Sequence, residues 1–190
     1  MAHKRLAKIL AVFLLLVFVT GPVALAASVA EKRESVRKMA NDTLERLYKV
    51  HPSARGAIES AAGYAVFSNT GFKLFLFGAA AGKGLAVNYG SGAEVFMKVT
   101  EIDVGLGLGV KKISVIFVFE TDKAFERFID KGFEFGGQTT AAATDGVSGD
   151  SIQGALVIAP DMYLYQLTDK GLALELTLKG TKYYKDSELN

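Results

Sequence analysis

The sequence predicts an α+β fold: a strongly curved antiparallel sheet or partial barrel that carries N-terminal helices and one inserted helix. Three observations lead there. Residues 28–50 repeat apolar side chains at helical spacing, the texture turns to β-branched and aromatic residues after Gly63, and one short helical pattern at 121–130 interrupts the strand-like stretches.

The elements follow in order. Ser28-Val29-Ala30-Glu31 reads as a capping box, Ser28 as N-cap and Glu31 three residues on. The helix it opens runs to about Lys49, with Val29, Val36, Met39, Ala40, Thr43, Leu44, Leu47 and Val50 on one arc at about 100° per residue. Pro52 ends it, and a short second helix over Ala54–Ala61 stops at Gly63. Separate strands are then expected at 64–67, 72–77, 84–89, 95–99, 103–110 and 113–120, with Tyr89-Gly90-Ser91-Gly92 as a turn. Thr121 caps a helix through Asp130 that buries Phe125, Phe128 and Ile129, and Gly132 closes it. Residues 136–151, rich in Gly, Thr, Ala, Ser and Asp, read as a loop. Short strands at 152–158, 162–167, 172–178 and 182–184 finish the chain.

Residues 1–26 have a separate logic. Lys4, Arg5 and Lys8 precede an apolar run from Ile9 to Val19, too short to span a bilayer, and Ala24-Leu25-Ala26 supplies small residues where a signal peptidase cuts. The expectation is a secretory signal peptide cleaved near Ala26, with a retained anchor as the alternative. The expected organisation is a helical segment at 27–62 and a β-rich unit at 63–190, in an exported protein that is periplasmic or associated with the cell envelope. Three of the 22 basic residues lie in the leader, so 19 Lys+Arg face 20 Asp+Glu afterwards, a formal charge of −1. The basic character of the whole chain therefore gives no reason to expect a nucleic-acid partner.

Catalytic patterns fail on inspection. Gly78 to Gly84 resembles a phosphate-binding loop, but its first glycine is one residue too close, and Gly84 stands where Ser or Thr would hold Mg²⁺. Gly105, Gly107 and Gly109 lack dinucleotide-binding spacing; in a strand they leave one face bare, for close packing or for a ligand. Neither stretch argues for a nucleotide. Gly146-Val-Ser148-Gly149-Asp150 lacks the second glycine of a nucleophile elbow. Without cysteine, and with His51 the single histidine after the leader, sites built of His and Cys are excluded by count. His51, before a proline, reads as a helix-end residue; Asp145, Asp150 and Asp161 read as turn formers. No catalytic residue, metal ligand or cofactor is expected.

The binding residues expected instead lie on the first helix. Lys32, Arg33, Arg37 and Arg46 flank its apolar arc, where basic side chains can reach phosphate while Val36, Met39, Ala40 and Leu47 enter a membrane interface. The competing reading is that the same arc covers the domain's own sheet.

Several segments in order resemble the SYLF family: Gly63-Tyr64-Ala65-Val66-Phe67, the glycine-rich stretch Gly78 to Gly84, and Asp103-Val-Gly-Leu-Gly-Leu-Gly109. So do Phe117-Val-Phe-Glu-Thr121 with Ala124 to Phe128, Phe133-Glu-Phe-Gly136, and Lys170-Gly-Leu172. The similarity runs from about Ala57 to Tyr184. Ser68 departs from the proline usual after the first of these strands, and the segment that follows it is more apolar than the family pattern. The resemblance implies a lipid-binding module, not an enzyme. Eukaryotic members bind phosphoinositides through an N-terminal amphipathic helix and basic residues, and some fungal members bind actin. For an exported chain it implies binding to an anionic phospholipid membrane, or else a structural role with envelope proteins as partners.

Overall fold

The computed structural model describes residues 27–135, 151–152, 154–169, 171–173 and 180–190. The elements are α1 (Val29–Val50), α2 (Ala54–Glu59), β1 (Gly63–Asn88), β2 (Glu94–Phe119), α3 (Asp122–Lys131), β3 (Phe133–Glu134), β4 (Ser151–Ile152), β5 (Ala155–Ala159), β6 (Met162–Thr168), β7 (Gly171–Ala173) and β8 (Thr181–Lys185). The sheet is antiparallel and runs β3-β8-β2-β6-β5-β4, with β1 on β2 and β7 on β6. It curls into a half-barrel, as the α+β reading expected.

The six strands expected between 64 and 120 are in fact two, each 26 residues long and paired along their length from Gly63↔Phe119 to Val87↔Glu94. The glycines that look like punctuation lie inside them. The register slips between Phe75 and Phe77, whose partners are Gly107 and Val104, so Leu76 is set against two residues; such a bulge bends a ribbon. The ribbon doubles back there, and the two arms of β1 meet backbone to backbone. A Cβ on Gly82 would collide with the Ser68 carbonyl, and one on Gly71 with Ala80. Gly105, Gly107 and Gly109 fall within β2 close to the bend.

β2 organises the rest. One edge pairs with β1; on the other, Met97–Glu101 pairs with β8 and Ser114–Phe119 with β6. Alternation then sorts the side chains of both strands. The inner face gathers Ala65, Phe67, Met97, Val99, Ile113, Val115, Phe117 and Phe119 against α3 through Phe125, Phe128 and Ile129. Thr121 caps α3 by accepting from the Ala124 N–H, and Gly132 leaves it at φ 70°, so both expected ends of this helix hold. The outer face gathers Val66, Leu85, Phe96, Ile116 and Val118 with Tyr165 and Leu167 under α1 and α2.

Elsewhere the strand at 152–158 is broken. Gly154 takes φ 79° against the His51 ring and separates β4 from β5. Asp161, at φ 60°, turns β5 into β6, as its reading as a turn former implies. Of the loop expected at 136–151, residues 136–150, with Asp145 and Asp150, lie outside the described residues and Ser151 opens β4; residues 174–178 of the strand expected at 172–178 and the leader also lie outside them.

Tyr183 shows a cost of this packing. Its ring lies 4.6 Å from Phe67 and 4.8 Å from Phe117, yet its buried hydroxyl has no hydrogen-bond partner among the described residues. Burial holds its pKa well above the ordinary range, since the phenolate would be desolvated. Removing an unsatisfied buried hydroxyl while keeping the ring should be favourable. Tyr183→Phe is expected to raise the unfolding free energy by about 1 kcal/mol in urea titration; a loss of similar size would show that the hydroxyl is bonded.

Candidate functional site: the basic flank of the first helix

The start of α1 is built as the sequence implies. Ser28 Oγ accepts from the Glu31 N–H at 3.2 Å, and Glu31 Oε2 accepts from the Ser28 N–H at 2.6 Å. Donation from the Ser28 backbone N–H favours the Glu31 carboxylate and lowers its pKa. At the other end His51 closes the helix, donating its backbone N–H to the Leu47 carbonyl, with its ring 5.9 Å from Tyr165.

The apolar arc faces the sheet. Val36 is 2% exposed, Ala40 and Leu47 are fully buried, and Met39 packs partly buried against the same cluster. In the docked helix these four, expected at a membrane interface, cover the outer sheet face instead. Fully burying a Val or Leu side chain is worth about 1.5–3 kcal/mol. Swinging α1 away would uncover both the arc and the sheet beneath it. Attraction to anionic lipid, roughly 1 kcal/mol per basic residue, is too small to drive that alone.

The four flanking cations are all partly exposed, and three are held in place. Arg33 donates from Nε to the Leu189 carbonyl at 2.7 Å, and Arg37 donates to Glu94 at 2.8 Å and lies 3.6 Å from Glu34. The bond to Glu94 pushes the Arg37 pKa further above its usual value. Both guanidiniums sit over the Phe96 ring, 5.5 and 5.3 Å from its centroid. Arg46 donates to the Thr168 carbonyl near the far end of the helix. The structure thus brings Arg33 and Arg37 together, with Lys32 one residue before Arg33, and sets Arg46 apart. What the sequence did not reveal is Phe96, the shared platform, whose place under α1 depends on long-range pairing.

Two clefts remain. One of about 340 Å³ is lined by Ser60, Glu120, Tyr163 and Tyr165; the Tyr163 pKa is raised by burial and by its bond to Glu120. The other, about 450 Å³, has Arg127, Lys131 and Lys182 beside Phe128, Ile158 and Met162. Among the described residues no group of three His, Cys, Asp or Glu side chains could hold a metal, and no helix is long and apolar enough to cross a membrane.

Residues 100–190, from the outer arm of β2 to β8 and beyond, match the family described as Ysc84, Las17-binding protein actin regulator. That description is of a binding protein, not of an enzyme. A curated relative, beta cell expansion factor A of Aeromonas veronii, is 31% identical over 159 residues, which cover 84% of this chain and 59% of the relative. This chain therefore spans about three-fifths of that protein's length. These matches bear out the resemblance that the ordered motifs carry: residues 100–190 match the Ysc84, or SYLF, family.

Proposed function

We propose that this protein is a non-catalytic module of the bacterial cell envelope that binds anionic phospholipid at its surface. The observation that carries the reading is the arginine pair on Phe96: two guanidiniums one helical turn apart, pre-positioned by the ring, by Leu189 and by Glu94. Guanidinium forks suit phosphate, and side chains already ordered lose less freedom on binding it. Lys32 and Arg46 extend the row along the helix. In this reading α1 stays docked and offers cations; Val36, Met39, Ala40 and Leu47 hold it to the sheet.

Co-sedimentation of the protein with phosphatidylglycerol and phosphatidylcholine vesicles tests it. Binding is expected only to the anionic vesicles and to weaken as salt shortens the screening length from about 10 Å at 0.1 M to about 3 Å at 1 M. Converting Lys32, Arg33, Arg37 and Arg46 together to Gln should weaken it at least tenfold, about 1.4 kcal/mol, with circular dichroism unchanged. Equal binding by that folded variant would remove the helix from the site.

The docked arc favours a second reading, a structural module that contacts other envelope proteins, because it leaves α1 no free apolar face. Absence of binding to every vesicle would select it.

A further inference from the structure

The bent end of the β1–β2 ribbon carries what α1 lacks. On the outer face, alternation runs from Val66 and Leu85, buried under the helix, outward to Thr70 and Phe72 on one arm and to Ala81 and Ala79 on the other. The partner strand follows the same rule, from Phe96 through Lys98 and Thr100 to Ile102. Beyond the residues covered by α1, Thr70, Phe72, Ala79, Ala81, Thr100 and Ile102 on this face are exposed. Phe72 is 65% and Ile102 69% exposed, the two most exposed large apolar side chains among the described residues. They belong to the same end of the molecule: Gly71 touches Ala79 and Ala80, and Ala79 pairs with Ile102.

The charged side chains described on the outer face of the two strands here are lysines. Lys112 pairs across from Thr70 and Lys83 across from Lys98, all outward. Like charges placed opposite each other on a sheet repel. Lys98 is compensated by Asp186 at 3.0 Å and Glu188 at 3.6 Å, whereas Lys83 and Lys112 are exposed with no ion pair among the described residues. The one acidic side chain described on this stretch of β2, Glu101, points inward, where it is buried and accepts from Asn69 Nδ2 at 2.9 Å. Outward apolar side chains with lysines behind them along the strands match the layering of an anionic membrane, with phosphates outside and acyl chains beneath.

We propose that this end of the ribbon is the membrane-inserting element of the protein, with Phe72 and Ile102 entering the acyl boundary of an anionic phospholipid surface and Lys83 and Lys112 meeting its phosphates. The proposal rests on the lipid-binding reading and gives it a different insertion device from the helix. Ile102 lies six residues along β2 from Phe96, on the same face, roughly 20 Å from the arginine pair.

The chain has no cysteine, so single Cys variants report one position each. Phe72→Cys, Ile102→Cys and, as a control on α3, Arg127→Cys are labelled with an environment-sensitive dye and mixed with phosphatidylglycerol vesicles. The dyes at 72 and 102 should shift to the blue and the one at 127 should not. Phe72→Ser/Ile102→Ser, both at exposed positions, should keep its circular dichroism and bind these vesicles at least tenfold more weakly. If the unsubstituted protein binds the vesicles, but the double variant binds equally and the dyes at 72 and 102 stay in water, the proposal is overturned and lipid binding through α1 survives. If the unsubstituted protein binds no vesicle, both readings fall. A dye at 72 that shifts with protein concentration alone would identify a second copy of the chain as the occupant, and would also overturn it.

Discussion

Phe117→Ala should lower the unfolding free energy by about 3–5 kcal/mol, the usual loss when a fully buried phenylalanine is truncated. The ring is completely buried, with centroids 4.8 Å from Phe128 and Tyr183, 5.8 Å from Phe67 and 5.9 Å from Phe133. These neighbours come from β1, α3, β3 and β8, so no single element can collapse into the hole. Edge-on contacts dominate, at 85° to Phe67 and 80° to Tyr183, and such aromatic pairs add about 0.5–1.5 kcal/mol beyond area. Against a total stability of about 5–15 kcal/mol, this one substitution takes a large fraction. With no tryptophan in the chain, far-ultraviolet circular dichroism in urea is the suitable probe. A loss below about 1 kcal/mol would show that the inner face is not the aromatic core described.

Gly82→Ala should cost about 3 kcal/mol, the upper end of overpacking, although it adds one methyl group. The new Cβ would collide with the Ser68 carbonyl and stand 2.7 Å from Asn69 Cα and 2.8 Å from the Ser68 carbonyl carbon. All of these are backbone atoms of the facing arm, so no rotamer change relieves the contact, and the arms of β1 have to separate. Gly56→Ala is the matching control. It lies in α2 with nothing within 4 Å of the added atom and should stabilise by about 0.4–1 kcal/mol. Similar effects at the two positions in a thermal-melt comparison would mean that the ribbon does not fold back as described.

These two residues mark what was legible in the sequence. Caps and helical periodicity are local, so α1, α3 and their ends could be placed, and so could the antiparallel, curved character of the sheet. The length of the strands could not. Gly71, Gly78, Gly82 and Gly84 look like interruptions in a linear pattern; Gly71, Gly82 and Gly84 instead admit the facing arm of the same strand, a contact visible only in three dimensions. The binding region shows the same division. Lys32, Arg33, Arg37 and Arg46 can be picked out as cations beside an apolar arc, but periodicity does not say whether a sheet or a membrane covers that arc. Phe96 beneath the arginines, and the exposure of Phe72 and Ile102, both depend on where α1 ends over the sheet.

The pairing of β2 also has a consequence in time. Among the described residues its free edge is filled by β6 and β8, which lie more than 40 residues further along the chain. During synthesis the β1–β2 ribbon emerges first, with its inner aromatic face uncovered and the edge at Met97–Glu101 unpaired. Leu189, 1% exposed in the cluster beneath α1, and its carbonyl, which holds Arg33, follow β6 and β8 in the chain. The half-barrel is therefore latched by residues far downstream of β2, and a chain still being made stays unlatched, open-edged and in need of protection from aggregation until they appear.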